Sequence, residues 1–159
     1  MIHDALTLND GLDGLRWTLA ALSLLAAVAY QLIESRQTST IRTSLKTISI
    51  AALAPLPPLA LGAGPAVALV ALALALAFGS AGDYFLALKG DAKNFKRGVA
   101  AFLVGHLFYL IVMVPRVIDP SPAQIILMIV LAVFSIGTCV WIAPKLGSYK
   151  KPIWVYMGV

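Results

Sequence analysis

The sequence predicts an all-α fold, a polytopic bundle of transmembrane helices, and two observations lead to that prediction. The first is composition: hydrophobic residues fill 60% of the 159 positions and charged residues only 12%, about half the charged share of a soluble domain. Mean hydropathy is accordingly high, at +0.91. The second is that the apolar residues are gathered into five runs, each near the ~20 residues that cross a bilayer core.

These runs predict five complete helices in a single transmembrane domain, 1–159. They cover about 16–33, 41–61, 65–88, 95–114 and 122–143. Helices are favoured over strands because a lone strand in lipid leaves its backbone groups unpaired. In the second run Pro55, Pro57 and Pro58 remove backbone donors, so we expect the regular helix to loosen or end there.

The last residues, "KKPIWVYMGV", predict the start of a sixth helix. It stops at Val159, far short of the length that spans a bilayer. We therefore expect the chain to be a piece of a longer protein, truncated at its C-terminus.

Basic residues are distributed unevenly over the connections. Ten lie at the first, third and fifth connections and two on the other side: Arg36, Arg42, Lys46, Lys89, Lys93, Lys96, Arg97, Lys145, Lys150 and Lys151 against Arg16 and Arg116. Because cytoplasmic loops are enriched in Lys and Arg, the odd-numbered connections are predicted in the cytoplasm. We expect a multi-pass protein of a bacterial inner membrane with its N-terminus outside. The net charge of +5 then reports topology, and no nucleic-acid partner is expected.

One acidic residue, Asp83, lies inside a predicted transmembrane helix. Such a carboxyl group is costly in lipid and usually faces a partner or a cavity. Asp83 and Lys46 each lie about five residues from the cytoplasmic ends of neighbouring helices, ~8 Å deep at 1.5 Å per residue, so they can meet. Two interpretations stay open: a structural ion pair, or a polar pocket that the small residues of 79–82, "GSAG", make accessible.

The fourth helix places Phe102, His106 and Tyr109 on one face, at positions i, i+4 and i+7. His106 lies about 16 Å deep, so direct contact with Asp83 is not expected, and a hydrogen-bonded packing role is the alternative. One His and one Asp do not indicate a metal site. No cofactor is expected, because the sequence has no phosphate loop or dinucleotide motif.

Two segments carry a resemblance to a known family. "AGDYFLAL" (81–88) and "FKRGVAAFLVGHLFY" (95–109) resemble the YhhN-like lysoplasmalogenase family, and "LKT" (45–47) resembles its lysine-containing second helix. The resemblance covers roughly 45–109, and the flanking helices by hydropathy alone. It implies an enzyme that cleaves the vinyl ether bond of lysoplasmalogens to a fatty aldehyde and a glycerophospho-base. It also implies a second acidic residue on a helix beyond Val159.

The resemblance makes Asp83 the catalytic candidate and lysophospholipid the substrate. Burial in lipid favours the acid form of a carboxyl group, whereas a nearby Lys46 favours the anion, so acid and anion roles both stay open. The substrate-binding candidates are Lys46, Lys89 and Arg97, for the phosphate, with His106 and Tyr109. The bilayer is the other expected partner. The alternative is a small transporter or channel that uses Asp83 and His106 as intramembrane polar sites. A purely structural membrane protein is a third hypothesis.

The topology can be tested by cysteine labelling. Cysteines introduced at Asn94 and Gly64 should react from opposite faces of the membrane, with position 94 cytoplasmic, because the basic connections stay inside. A membrane-impermeant maleimide applied to intact cells measures this. Equal labelling of both positions from one side contradicts the helix assignment.

Overall fold

The computed structural model describes residues 6–35, 39–88, 92–116, 120–145 and 147. All regular structure in this part of the chain is helical, which confirms the predicted all-α helical bundle. The helices are α1 (Asp13–Ile33), α2 (Thr40–Ala51), α3 (Leu56–Leu59), α4 (Ala66–Ala87), α5 (Ala92–Met113) and α6 (Pro122–Ile142), with 3-10 turns at Val114–Arg116 and Ala143–Lys145. The predicted start of a sixth transmembrane helix, within 150–159, lies outside the described residues.

Four helical segments are long and apolar enough to cross a membrane. They are Asp13–Ile33, Ala66–Ala87, Ala92–Met113 and Pro122–Lys145, and they indicate a membrane protein. The chain divides into two compact units, 1–112 and 113–159. In the second unit α6 begins with a capping box, in which Ser121 and Gln124 each bond the other's backbone N–H. That all helices form one domain stays a prediction.

The second predicted helix, 41–61, differs from the expected continuous span. Helix α2 ends at Ala51 after 12 residues, a turn follows over 52–55, and α3 has four residues. The cause is Pro55, which has no N–H to donate to the carbonyl of Ala51, so that carbonyl accepts from Ala54 instead. The loosening expected from the prolines is confirmed, but it makes α2 too short to span a bilayer by itself.

Arg16 ties the start of α1 to the end of α3. Its side chain is 1% exposed, and its Nη1 donates to Asp10 Oδ1 at 2.8 Å and to Asp13 Oδ1 at 2.9 Å. Its Nη2 donates to Asp10 and to the backbone carbonyl of Leu59. Two carboxylates therefore neutralise the buried guanidinium, which in turn satisfies a carbonyl at a helix end.

Helices α4 and α5 pack antiparallel at very short range. A Cβ added at Gly98 would lie 2.7 Å from Leu86 Cγ, and one added at Gly105 would lie 3.1 Å from the carbonyl oxygen of Ala75. Only glycine therefore fits at these two positions without movement of the neighbour. The rings of Phe78 and Phe108 stack with centroids 5.9 Å apart between the same helices.

The Arg16 cluster should make stability depend on pH at strongly acid values. The hydrogen bond from Arg16 lowers the pKa of Asp10 from 3.8 to about 2. A lowered pKa contributes stability above pH 3.8, and that contribution is lost as the pH falls towards 2. Asp10→Asn should therefore lower the Tm in detergent at pH 5, and the gap to the wild type should close towards pH 2. A gap that is constant with pH would contradict this linkage.

Candidate functional site

The acidic residue in α4 meets a basic residue of α2. Lys46 Nζ lies 2.8 Å from Asp83 Oδ1, and the two side chains are 34% and 14% exposed. Asp83 stands four residues before the end of α4, about 6 Å along the axis. The contact expected from their matched depths is thus present, and it places a charge-assisted hydrogen bond inside an apolar bundle.

Serine hydroxyls fix α2 between α1 and α4. Ser80 Oγ, on α4, donates to the carbonyl of Thr47 at 3.1 Å, and Ser23 Oγ, on α1, donates to the carbonyl of Ser49 at 2.5 Å. Ser80 and Ser23 are both buried. Because Ser80 stands one turn before Asp83, its bond to Thr47 sets the register in which Lys46 faces the carboxylate.

A cavity of about 170 Å³ opens beside the ion pair between α2, α4 and α5. Asp83 lines it together with Ile50, Ala75, Leu76, Gly79, Phe102, Gly105, His106 and Tyr109. The face of α5 predicted from the spacing of Phe102, His106 and Tyr109 is therefore the face that lines the cavity. Its walls are mainly hydrocarbon, with a carboxylate, an imidazole and a phenol as the polar groups.

Asp83 and His106 line the same cavity although their depths along the helix axes differ, and the absence of direct contact between them stays a prediction. Depth was judged from position along the helix axis, but Cα–Cβ bonds tilt towards the N-terminus of their own helix. In an antiparallel pair that tilt brings the two side chains towards each other: Asp83 leans back from the end of α4, and His106 leans back towards the start of α5. His106 Nδ1 lies 2.7 Å from the carbonyl oxygen of Phe102, so the ring is oriented by its own helix.

Arg97, which was also predicted to bind the phosphate, does not line the cavity. Arg97 is exposed on the second turn of α5, where its Nη1 donates to Asn94 Oδ1 at 3.3 Å. Lys89 lies outside the described residues. Within the described ranges no group of three or more His, Cys, Asp or Glu side chains is placed to hold a metal ion.

Sequence reasoning missed the serines that position the pair. In the sequence Ser23 and Ser80 are small residues in apolar runs, and only the fold shows that they donate to the carbonyls of Ser49 and Thr47. A usable signal was nevertheless present, because a hydroxyl on an apolar helix bonds either its own backbone or that of a neighbour.

Comparison with known proteins identifies the family. Residues 41–159 match the family model described as the YhhN family, which confirms the resemblance drawn from 81–88 and 95–109. No curated protein and no solved structure matches the chain.

The ion pair can be tested with a double-mutant cycle. Lys46→Met leaves the Asp83 charge in an apolar site, so it should lower stability more than Lys46→Met combined with Asp83→Asn. We expect a coupling energy of at least about 1 kcal/mol, measured from unfolding in detergent. Glu34→Gln is the matched control, because Glu34 is 55% exposed and lies 3.8 Å from Arg42. Additive effects of the two substitutions would show that the pair contributes nothing.

Proposed function

The chain belongs to the YhhN family, and from this membership we propose that it is a membrane-embedded hydrolase that cleaves the vinyl ether bond of lysoplasmalogens. The products are a fatty aldehyde and a glycerophospho-base. One observation supports this beyond the family: a carboxylate, held by Lys46, lines a mainly hydrocarbon cavity inside the helices. Such a cavity suits a lipid chain that carries one reactive polar bond.

The chemistry needs two kinds of group. Protonation of the alkene carbon creates an oxocarbenium ion, water adds to that cation, and the hemiacetal collapses to aldehyde and alcohol. The barrier falls if an acid donates the proton and an anion stabilises the cation and orients the water. An apolar cavity strengthens the second effect, because charges attract each other more in a low dielectric.

We assign the anionic role to Asp83. Its Oδ1 lies 2.8 Å from Lys46 Nζ, and this ion pair holds the side chain in place at the cavity wall. The resemblance implies a second acidic residue on a later helix, and we propose that this residue donates the proton. Among the described residues of the cavity, His106 and Tyr109 are the other groups that carry exchangeable protons.

The proposed setting is a bacterial inner membrane, with the N-terminus outside. The described basic residues at the start of α2 and α5, namely Arg42, Lys46, Lys93, Lys96 and Arg97, gather at one end of these helices. That end is assigned to the cytoplasm by the positive-inside rule. The ion pair then lies near the inner leaflet, at the level of the glycerol backbone of a lysolipid.

A transporter or channel is the second candidate function. It is favoured by one observation, that Asp83 and His106 line the same cavity, since paired titratable groups inside a membrane also form proton and ion relays. The two functions differ in their products, which makes them separable in one preparation.

The decisive variant is Asp83→Asn. An amide keeps the shape but cannot balance a cation, so we expect aldehyde release from lysoplasmalogen to fall by at least ~100-fold, with the helical content unchanged. His106→Gln should have a milder effect, and Glu34→Gln should leave the rate unchanged. Release is measured by coupling the aldehyde to a dehydrogenase.

Two outcomes would overturn the proposal. If Asp83→Asn keeps most of the wild-type rate, Asp83 is not the catalytic anion. If the wild type releases no aldehyde but moves protons or solutes across liposomes, the transporter takes its place.

A further inference from the structure

A second pocket lies between the first turns of α2 and the last turn of α4. Its volume is about 380 Å³, and five of its seven lining residues carry a hydroxyl group: Ser39, Thr40, Thr43, Ser44 and Tyr84. Two apolar residues of the α4 end, Ala87 and Leu88, complete the lining. We call it the hydroxyl groove. In a chain that is 60% hydrophobic, this concentration of hydroxyl groups at the ends of α2 and α4 favours a polar ligand.

Among the described residues, most of these hydroxyls have no hydrogen-bond partner in the protein. Ser39 Oγ accepts from the backbone N–H of Arg42, as the cap of α2. Within the described part of the chain, the hydroxyls of Thr40, Thr43, Ser44 and Tyr84 make no hydrogen bond. Each is both a donor and an acceptor, so the groove presents several donors to whatever enters it.

The hydroxyl groove adjoins the ion pair. Thr43 stands three residues before Lys46 on α2, one turn along the same face, and Tyr84 follows Asp83 directly on α4. The groove lies at the end of α2 and α4 that carries the basic residues, among them Arg42 and Lys46. Hydroxyl donors beside cations are a setting that favours a phosphate group.

We propose that the hydroxyl groove binds the phosphoglycerol headgroup of a lysophospholipid, while the chain lies in the adjoining cavity lined by Asp83 and His106. This inference rests on the proposed function and deepens it. The order of parts in such a lipid is phosphate, glycerol, ether oxygen and hydrocarbon. Along the protein the hydroxyl groove is followed by the ion pair and then by the apolar wall of the cavity. A phosphate bound in the groove therefore places the ether bond beside the carboxylate of Asp83.

A lipid headgroup is a better candidate than free phosphate because the groove adjoins an apolar cavity. The neighbouring cavity has walls of Ile50, Leu76 and Phe102, which a soluble phosphate ester leaves empty. A lysolipid fills both surfaces, and the chain then adds the free energy of apolar burial to that of the phosphate contacts.

Binding is tested without turnover. The probe is a saturated alkyl-ether lysophospholipid, which has no vinyl ether to cleave, compared with the matching 1-alkylglycerol, which lacks the phosphate, and with soluble glycerophosphate. The wild type should bind the lysophospholipid at least tenfold more tightly than either of the others, by titration in detergent.

Removal of the hydroxyls should abolish that preference. T43V combined with S44A should weaken lysophospholipid binding by about 10- to 100-fold, since a hydroxyl bond to an anion is worth about tenfold or more, and leave alkylglycerol binding unchanged. Y84F alone, a smaller change, should weaken it by up to about tenfold. T18V is the matched control: Thr18 lies on α1 and bonds its own backbone at the carbonyl of Gly14.

Three results would overturn the headgroup assignment. They are equal wild-type affinity for the lysophospholipid and the alkylglycerol, unchanged lysophospholipid binding in both groove variants, and glycerophosphate affinity equal to that of the lysolipid, which would make the groove a site for soluble phosphate esters. Because the probe is not cleaved, these results do not depend on aldehyde release. Failure of the proposed reaction and failure of the groove are therefore told apart.

Discussion

The interruption of the second helical segment is the constraint on which the rest of the first unit depends. A helix that stops in an apolar environment leaves carbonyl groups that water does not reach, and each must find another donor. Here the N–H of Leu53 turns to Ile50, and that of Ala63 turns to Ala60. The carbonyls of Ser49 and Leu59, freed in this way, accept from Ser23 and Arg16. Helix α1 thus supplies hydrogen-bond donors to the carbonyls on both sides of the break.

The geometry of the site depends on how closely α2, α4 and α5 approach one another. Ser80 docks α2 on α4, and glycines at positions 98 and 105 allow α5 to lie against the backbone of α4. Side chains that stand two or three turns apart along the axes then reach one cavity, because antiparallel neighbours tilt their side chains towards each other. A wider helix separation would leave Asp83 with Lys46 alone, as a structural pair.

Much of this was predictable from the sequence. The apolar runs predict the long helices, the prolines predict the weak point of the second segment, and matched depth predicts the contact between Lys46 and Asp83. That Asp83 and His106 line one cavity was not predicted, because axial depth ignores the tilt of side chains. The Arg16 cluster was missed for another reason: its acceptor on Leu59 exists only after the chain folds back across 43 residues. Hydropathy carries no information on such a bond.

The shortness of α2 has a consequence for the order in which the chain enters the membrane. With 12 residues it is too short to insert as an independent span, and the charge of Lys46 adds a further cost to its transfer into lipid. The compensating carboxylate is synthesised 37 residues later, on α4. We therefore expect α2 to enter the bilayer together with α4, once the Lys46–Asp83 pair can form.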